Sequence, residues 1–350
     1  MKPDLRSALQ TGFLTGDGAM GTYLYQSGFP VGISYEEFNL VKPNIIVDIH
    51  RQYYEAGARI IETNTFSANR EKLSKFGLED ETVAINKAGV ALARQAVGDD
   101  AFVLGAVGSL RGSRRRRIGE ATLKHDLAEQ ITALLEAGAD GIILETFYEL
   151  SEMLIAVQIV RNLGNAPVIC QFATDGSGMT QDGVTFDAAF ELLQEAGADA
   201  VGFNCHSGPD GILRALEKLS APPGLPLSIY PNAGLPGYDD GRLTYRAEPE
   251  YFAAKAQRFA ELGARIVGGC CGTTPQHIAA IAQALADSTA QLLRAHAPAA
   301  PANPSAASAA AISGNAARIA GRIAVQPVAP AAPAEPPAPA EPTLVDLVRQ

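Results

Sequence analysis

A four-residue phrase, Glu-x-Gly-Ala, recurs at Glu55–Ala58, Glu136–Ala139, Glu195–Ala198 and Glu261–Ala264. An amphipathic stretch precedes each copy and an apolar, β-branched run follows it. Physically, a helix ends, glycine supplies a left-handed cap, and a buried strand begins. The copies lie about two βα units apart, which puts one before every even-numbered strand. A chain built this way must form a parallel sheet covered by helices.

The eight strands are read near Phe13–Gly16, Arg59–Thr63, Phe102–Val107, Gly141–Glu145, Val168–Phe172, Ala200–Cys205, Leu227–Tyr230 and Arg265–Cys270. Continuous apolar strands alternating with amphipathic helices predict an α/β protein, a closed (β/α)8 TIM barrel, over residues 1–294. No Gly-x-Gly-x-x-Gly follows the first strand, which argues against a dinucleotide fold. The texture then changes. Residues 295–342 are dominated by alanine and proline, too poor in large apolar side chains to offset their ordering entropy, and read as a disordered linker. Residues 343–350, Thr-Leu-Val-Asp-Leu-Val-Arg-Gln, read as a short docking helix or the stub of a missing domain, with a plain disordered tail as the alternative.

Composition narrows the function. A net charge of −10 argues against nucleic acid and anionic membrane as partners. No run approaches the roughly 18 apolar residues of a membrane span, and the N-terminus lacks the apolar core of a secretion signal. The cysteines are too sparse for a disulfide framework, which predicts a reducing, cytoplasmic setting. Cys170, inside an apolar run, reads as a small buried hydrophobe.

The other three cysteines fall where chemistry sits in such a barrel, at the carboxyl ends of strands. Cys205 closes the sixth, and the adjacent pair Cys270 and Cys271 closes the eighth. Three converging thiols read as a Zn²⁺ site with one position open, one ion per chain. The plainer alternatives for the pair are tight packing or a vicinal disulfide. Gly268, Gly269 and Gly272 are expected to let two neighbouring side chains reach one metal by bending the backbone. His206 follows a ligand directly, but alternation along a strand directs it away. His50 and His277 sit in helical patterns and read as ordinary surface or helix-start residues.

The motifs Asp-Gly-Ala-Met-Gly-Thr, Glu-Thr-Asn-Thr-Phe, Gly-Phe-Asn-Cys, Pro-Asn-Ala-Gly-Leu-Pro and Gly-Gly-Cys-Cys-Gly-Thr-Thr-Pro occur in that order. Together they resemble the homocysteine S-methyltransferase family over residues 12 to 285. The family includes the homocysteine module of cobalamin-dependent methionine synthase and the homocysteine half of proteins fused to a methylenetetrahydrofolate reductase. The resemblance implies methyl transfer to the zinc-bound thiolate of L-homocysteine, giving L-methionine, with Cys205, Cys270 and Cys271 acting through the metal. It also implies that Glu145 and the Asp17 loop face the substrate ammonium. Backbone N–H groups near Gly18 and Ala19 would then face its carboxylate. Asn232 resembles the residue that fills the open zinc position when no thiol is bound. Asn64 and Asn232 read equally as substrate contacts or as hydrogen-bonders of their own loops.

Sulfur-rich ligation suits this chemistry. A free thiol of pKa about 8.5 is only a few per cent thiolate at neutral pH. Zinc takes it as the anion, and three cysteine thiolates keep that sulfur electron-rich. The donor is left open among methylcobalamin on a partner, S-methylmethionine, S-adenosylmethionine and betaine. The lack of tryptophan disfavours betaine, because tryptophan is the best ring for a quaternary ammonium. The run Arg111–Arg117 reads as a solvated loop or a docking patch for an acidic carrier domain or anionic cofactor. A second reading follows from the tail. The chain is then a homocysteine-binding zinc module without turnover of its own, serving a separate corrinoid or methylenetetrahydrofolate reductase partner.

Overall fold

The structure, a computed structural model, describes residues 3–112, 118–240 and 242–295. Most of the arginine run, the Ala/Pro-rich stretch from 296 and the segment 343–350 lie outside the described residues. Among the described residues ten strands occur in chain order: β1 (Leu14–Thr15), β2 (Ile60–Glu62), β3 (Phe102–Gly108), β4 (Gly141–Phe147), β5 (Val168–Phe172), β6 (Ala200–Asn204), β7 (Leu227–Tyr230), β8 (Gly237–Asp239), β9 (Arg242–Thr244) and β10 (Ala264–Val267). Eight of them form one parallel sheet in the order β1-β10-β7-β6-β5-β4-β3-β2. A parallel bridge from Gly16 to Ile60, and the Arg59 N–H on the Thr15 carbonyl at 2.7 Å, join its two ends. The fold is the (β/α)8 barrel.

The repeated phrase works as its residues predict. Gly57, Gly138, Gly197 and Gly263 all take positive φ, between 89° and 108°, just before β2, β4, β6 and β10. A side chain at any of them would strain the backbone.

The strands look uniformly apolar in sequence, yet their two faces do different work. Ile60, Leu104, Ala106, Ile143, Ile169, Ala200, Tyr230 and Ile266 point into the barrel and pack as one cluster. The alternate residues Ile61, Val103, Ile142, Leu144, Val168, Cys170, Val201 and Ile229 pack against the surrounding helices. Cys170 is thus a fully buried outward-facing residue, as expected of a small hydrophobe. The barrel floor is closed by an element not anticipated from sequence. The helix Leu5–Thr11, capped by Asp4 accepting from the Ser7 N–H at 3.1 Å, inserts Leu5, Ala8 and Leu9 into the inner cluster.

The antiparallel hairpin of β8 and β9 is also unforeseen. It rises from the loop after β7, and the Leu243 N–H donates to the Tyr25 hydroxyl at 3.2 Å, tying it to the first loop. Two histidines depart from expectation. His50, in the helix Pro43–Glu55, is completely buried and neither ring nitrogen has a partner. His277 does stand at a helix start, but it is buried too, with Nε2 2.8 Å from the Ala247 carbonyl. Among the described residues no helix is long and apolar enough to cross a membrane.

Candidate functional site

Inward-facing positions continue past the apolar layers and become the site. The two-residue period that points Ile60 and Ile143 inward places Glu62 and Glu145 above them on the same face. Asn204 on β6 and Tyr230 on β7 belong to that same layer. The loops after these strands enclose a cavity of about 670 Å³, lined among others by Asp17, Glu62, Asn64, Glu145, Cys205, Cys270 and Cys271.

The three cysteines converge. Their sulfurs all lie within 4.8 Å of one another, and Cys205 Sγ is 3.8 Å from Cys271 Sγ. A tetrahedral ion with Zn–S bonds of about 2.3 Å places its sulfurs roughly 3.8 Å apart, the spacing of Cys205 and Cys271, so the trio is close to the size zinc requires. Charge within the trio points the same way. Interaction with the Cys270 and Cys271 thiols holds Cys205 well below the usual thiol range. Those two are pushed up in return, Cys271 to about 12. One thiolate shared by two thiols is the arrangement a cation replaces by displacing protons. The Asn232 amide faces Cys205, and its buried Oδ1 has no partner, leaving a neutral oxygen donor beside the sulfurs.

The backbone is specialised to present these sulfurs. Cys205 and His206 have φ of 52° and 54°, a left-handed turn that non-glycine residues rarely make in succession. This turn, rather than strand alternation, leaves His206 exposed and outside the trio. β10 ends at Val267, so the cysteine pair lies in the following loop. Among its glycines only Gly272 supplies a bend, with φ of 82°. Gly268 and Gly269 are needed for room: an added Cβ would stand 2.5 Å from the Tyr230 ring and 2.5 Å from Thr273 Oγ1 respectively.

Beside the sulfurs lies a cluster of buried carboxyl groups. Asp17 Oδ2 accepts the Glu62 N–H at 2.9 Å, and Asp17 caps no helix. Glu62 faces both Glu145 and the Tyr230 hydroxyl. Burial pushes Asp17 and Glu62 well above the usual carboxyl range, and it pushes Glu145 up to about 8. Three acids packed together, with no ion-paired cation among the described residues, form a receptor for one. Glu62 was not among the sequence-derived candidates. Its signal was available, because a carboxylate at the end of a barrel strand, in phase with inward residues, faces the site.

The remaining candidates are placed as follows. Ala19 donates its N–H to Thr273 Oγ1 at 3.1 Å, so that amide is already engaged, while Gly18 lines the cavity. Asn64 also lines it, but its Nδ2 is held by the Tyr35 carbonyl at 2.8 Å and Asn39 Oδ1 at 3.0 Å. Its amide nitrogen serves the loop. Arg111 reaches the cavity and pairs with Glu149 at 2.6 Å.

Residues 14–285 match the homocysteine S-methyltransferase family model. The chain belongs to this family. It is 33% identical over 306 residues to a methionine synthase of Mycobacterium tuberculosis, and 32% over 305 residues to that of Mycobacterium leprae. In both cases 81% of this chain is covered but only 25% of the relative, so the chain spans about a quarter of those proteins. The metallated form of the homocysteine methyltransferase MmuM from Escherichia coli superposes with a TM-score of 0.67 at 26% identity. That match covers 80% of this chain and 99% of the other.

Proposed function

We propose that this chain transfers a methyl group to the sulfur of L-homocysteine, giving L-methionine, with Zn²⁺ held by Cys205, Cys270 and Cys271. The observation that carries this is the pairing of two receptors in one cavity. Three sulfurs lie within 4.8 Å of one another, next to a buried acidic cluster. A substrate ending in a thiol at one end and an ammonium at the other fits both. Bound at the trio, zinc would supply a thiolate at neutral pH.

The chain's own residues do the rest. Asp17 and Glu145, with Glu62 between them, hold the ammonium and fix the distance from amino group to sulfur. Asn232, whose Oδ1 has no other partner among the described residues, would offer a neutral oxygen to the metal where a substrate thiol would otherwise bind. The loop around Gly18 and Ala19 lies where the substrate carboxylate would sit, and Asn64 shapes that wall. Tyr230 closes the floor and excludes water from the acids.

A second reading is favoured by the chain spanning only a quarter of the methionine synthases it resembles. The barrel then binds zinc and homocysteine but receives its methyl group from a separate corrinoid protein or methylenetetrahydrofolate reductase partner. Incubating zinc-loaded protein with homocysteine and each donor separates the two. Methionine formed by the chain alone from a small soluble donor would eliminate the module reading. Failure to bind homocysteine at all would eliminate both.

A further inference from the structure

One charged group at the cavity is used by nothing above. Lys72, on the short helix Arg70–Leu73, lines the cavity with its ammonium 4.5 Å from the centroid of the Phe66 ring. Among the described residues no carboxylate lies within ion-pair distance of it. Three acids act on it from a distance, Glu36, Glu152 and Glu145, and each accepts hydrogen bonds from other groups, Glu145 from Asn204 Nδ2 at 3.2 Å. Glu36 accepts from the Ser67 N–H at 3.0 Å and the Ser34 hydroxyl at 3.1 Å. Glu152 accepts from the Ser109 hydroxyl and the Leu110 N–H, both at 2.7 Å. Burial brings Lys72 down to about 8 in spite of these acids, so its charge is poorly solvated. Lys75 lines the same wall.

We propose that Lys72, supported by Lys75, forms an anion subsite that binds the carboxylate of the methyl donor. This rests on the methyl-transfer reading above. A cavity of about 670 Å³ is drug-ligand sized and larger than one amino acid requires, which leaves room for a second small molecule. The sulfur trio and the acids already account for homocysteine's thiol and ammonium. A partly desolvated ammonium on the β2-loop wall therefore faces the space that the donor must fill. The carboxylate takes no part in bond making. The thiolate's electron pair forms the new S–CH3 bond, and the donor's methyl bond breaks with its pair leaving on the donor. Sulfonium amino acids and methylated folates both carry such a carboxylate.

The test uses the zinc-loaded full chain with methionine in place of homocysteine, so that no donor is consumed. Acetylation of Lys72 by acetic anhydride, read by mass spectrometry, is followed with S-methylmethionine, 5-methyltetrahydrofolate or trimethylsulfonium, against methionine alone. Labelling should slow about tenfold with one carboxylate donor and not with trimethylsulfonium; the protecting donor identifies the source. In turnover, Lys72→Met should raise that donor's KM about 10- to 100-fold, the range for a hydrogen bond to a charged group. Lys72→Arg should recover part of it, and homocysteine binding should be unchanged. Labelling slowed by neither carboxylate donor, or a Lys72→Met variant that loses homocysteine affinity instead, would overturn the subsite. Wild-type protein that binds no homocysteine would instead overturn the function on which it rests.

Discussion

Asn204 donates from Nδ2 to Glu145 Oε2 at 3.2 Å, and the next residue in the chain is Cys205. The same amide accepts the Thr146 N–H at 2.7 Å and donates to the Thr146 hydroxyl at 2.8 Å, pinning a residue whose φ is 57°. One side chain thus ties Glu145 to the end of the strand that leads into Cys205. Glu145→Gln should keep this hydrogen bonding and lose only the charge. Homocysteine affinity should fall on the order of 10- to 100-fold, with zinc content unchanged. The pH profile gives the sign. With Glu145 raised to about 8, the free site is protonated at neutral pH, and ammonium binding must expel that proton. Affinity should rise with pH between about 6 and 9, and Glu145→Gln should flatten part of that rise. Calorimetry across this window checks both.

Replacing Cys205, Cys270 or Cys271 by alanine should abolish stoichiometric zinc and, with it, homocysteine binding. X-ray absorption should show three sulfurs and one lighter ligand in the free protein, then four sulfurs with substrate. Asn232→Ala should retain the metal while changing the lighter scatterer. A trio variant that kept one zinc per chain, or a site with two nitrogens, contradicts the ligand set.

The parts of this site that were legible in the sequence are those that depend on strand ends. Cys205 and the Cys270–Cys271 pair follow apolar runs whose parallel neighbours are fixed by the Glu-x-Gly-Ala phrase. Their convergence therefore needed only the barrel. Tyr230 escaped notice because uniformly apolar strands hide which alternate residues face inward, a phase set by packing on the helices, whereas Glu62, a lone carboxylate at a strand end, could have been found. The left-handed turn at Cys205 and His206 had little signal, since histidine adopts it only occasionally and cysteine seldom. The floor helix Leu5–Thr11 was invisible for a similar reason: its length gives too few turns for periodicity to declare a buried face.

The acidic cluster should destabilise the empty protein. Glu62 is half-buried, and its enclosed Oε1 has no hydrogen-bond partner among the described residues. Its pKa is raised in the folded state, so its favourable contribution is complete below the unfolded carboxyl range and is lost as pH rises through the folded value. Glu62→Gln should therefore raise the stability of the ligand-free protein at pH 8–9 by about 1–3 kcal/mol. That corresponds to a few degrees in Tm for a domain of this size. The same variant should bind homocysteine more weakly. Thermal unfolding with and without ligand tests the trade. A variant that is destabilised when empty would show that Glu62 supports the fold rather than the substrate.

His50 predicts how the fold fails in acid. It lies in the helix Pro43–Glu55 with no exposure and no partner for either nitrogen, and burial lowers it from 6.5 to about 4. The unfolded chain therefore takes up a proton near pH 6.5 that the folded protein refuses until about pH 4. Stability is fully present above 6.5 and falls as pH drops through that window, by up to ~3 kcal/mol from this residue. His50→Leu removes the titration while retaining an apolar side chain of similar bulk. Urea unfolding at pH 7 and pH 4.5 should show a smaller acid loss in the variant than in the parent, whatever its stability at pH 7. Equal losses in the two proteins would mean that His50 finds a proton-accepting partner in solution and that the acid limb belongs to other groups.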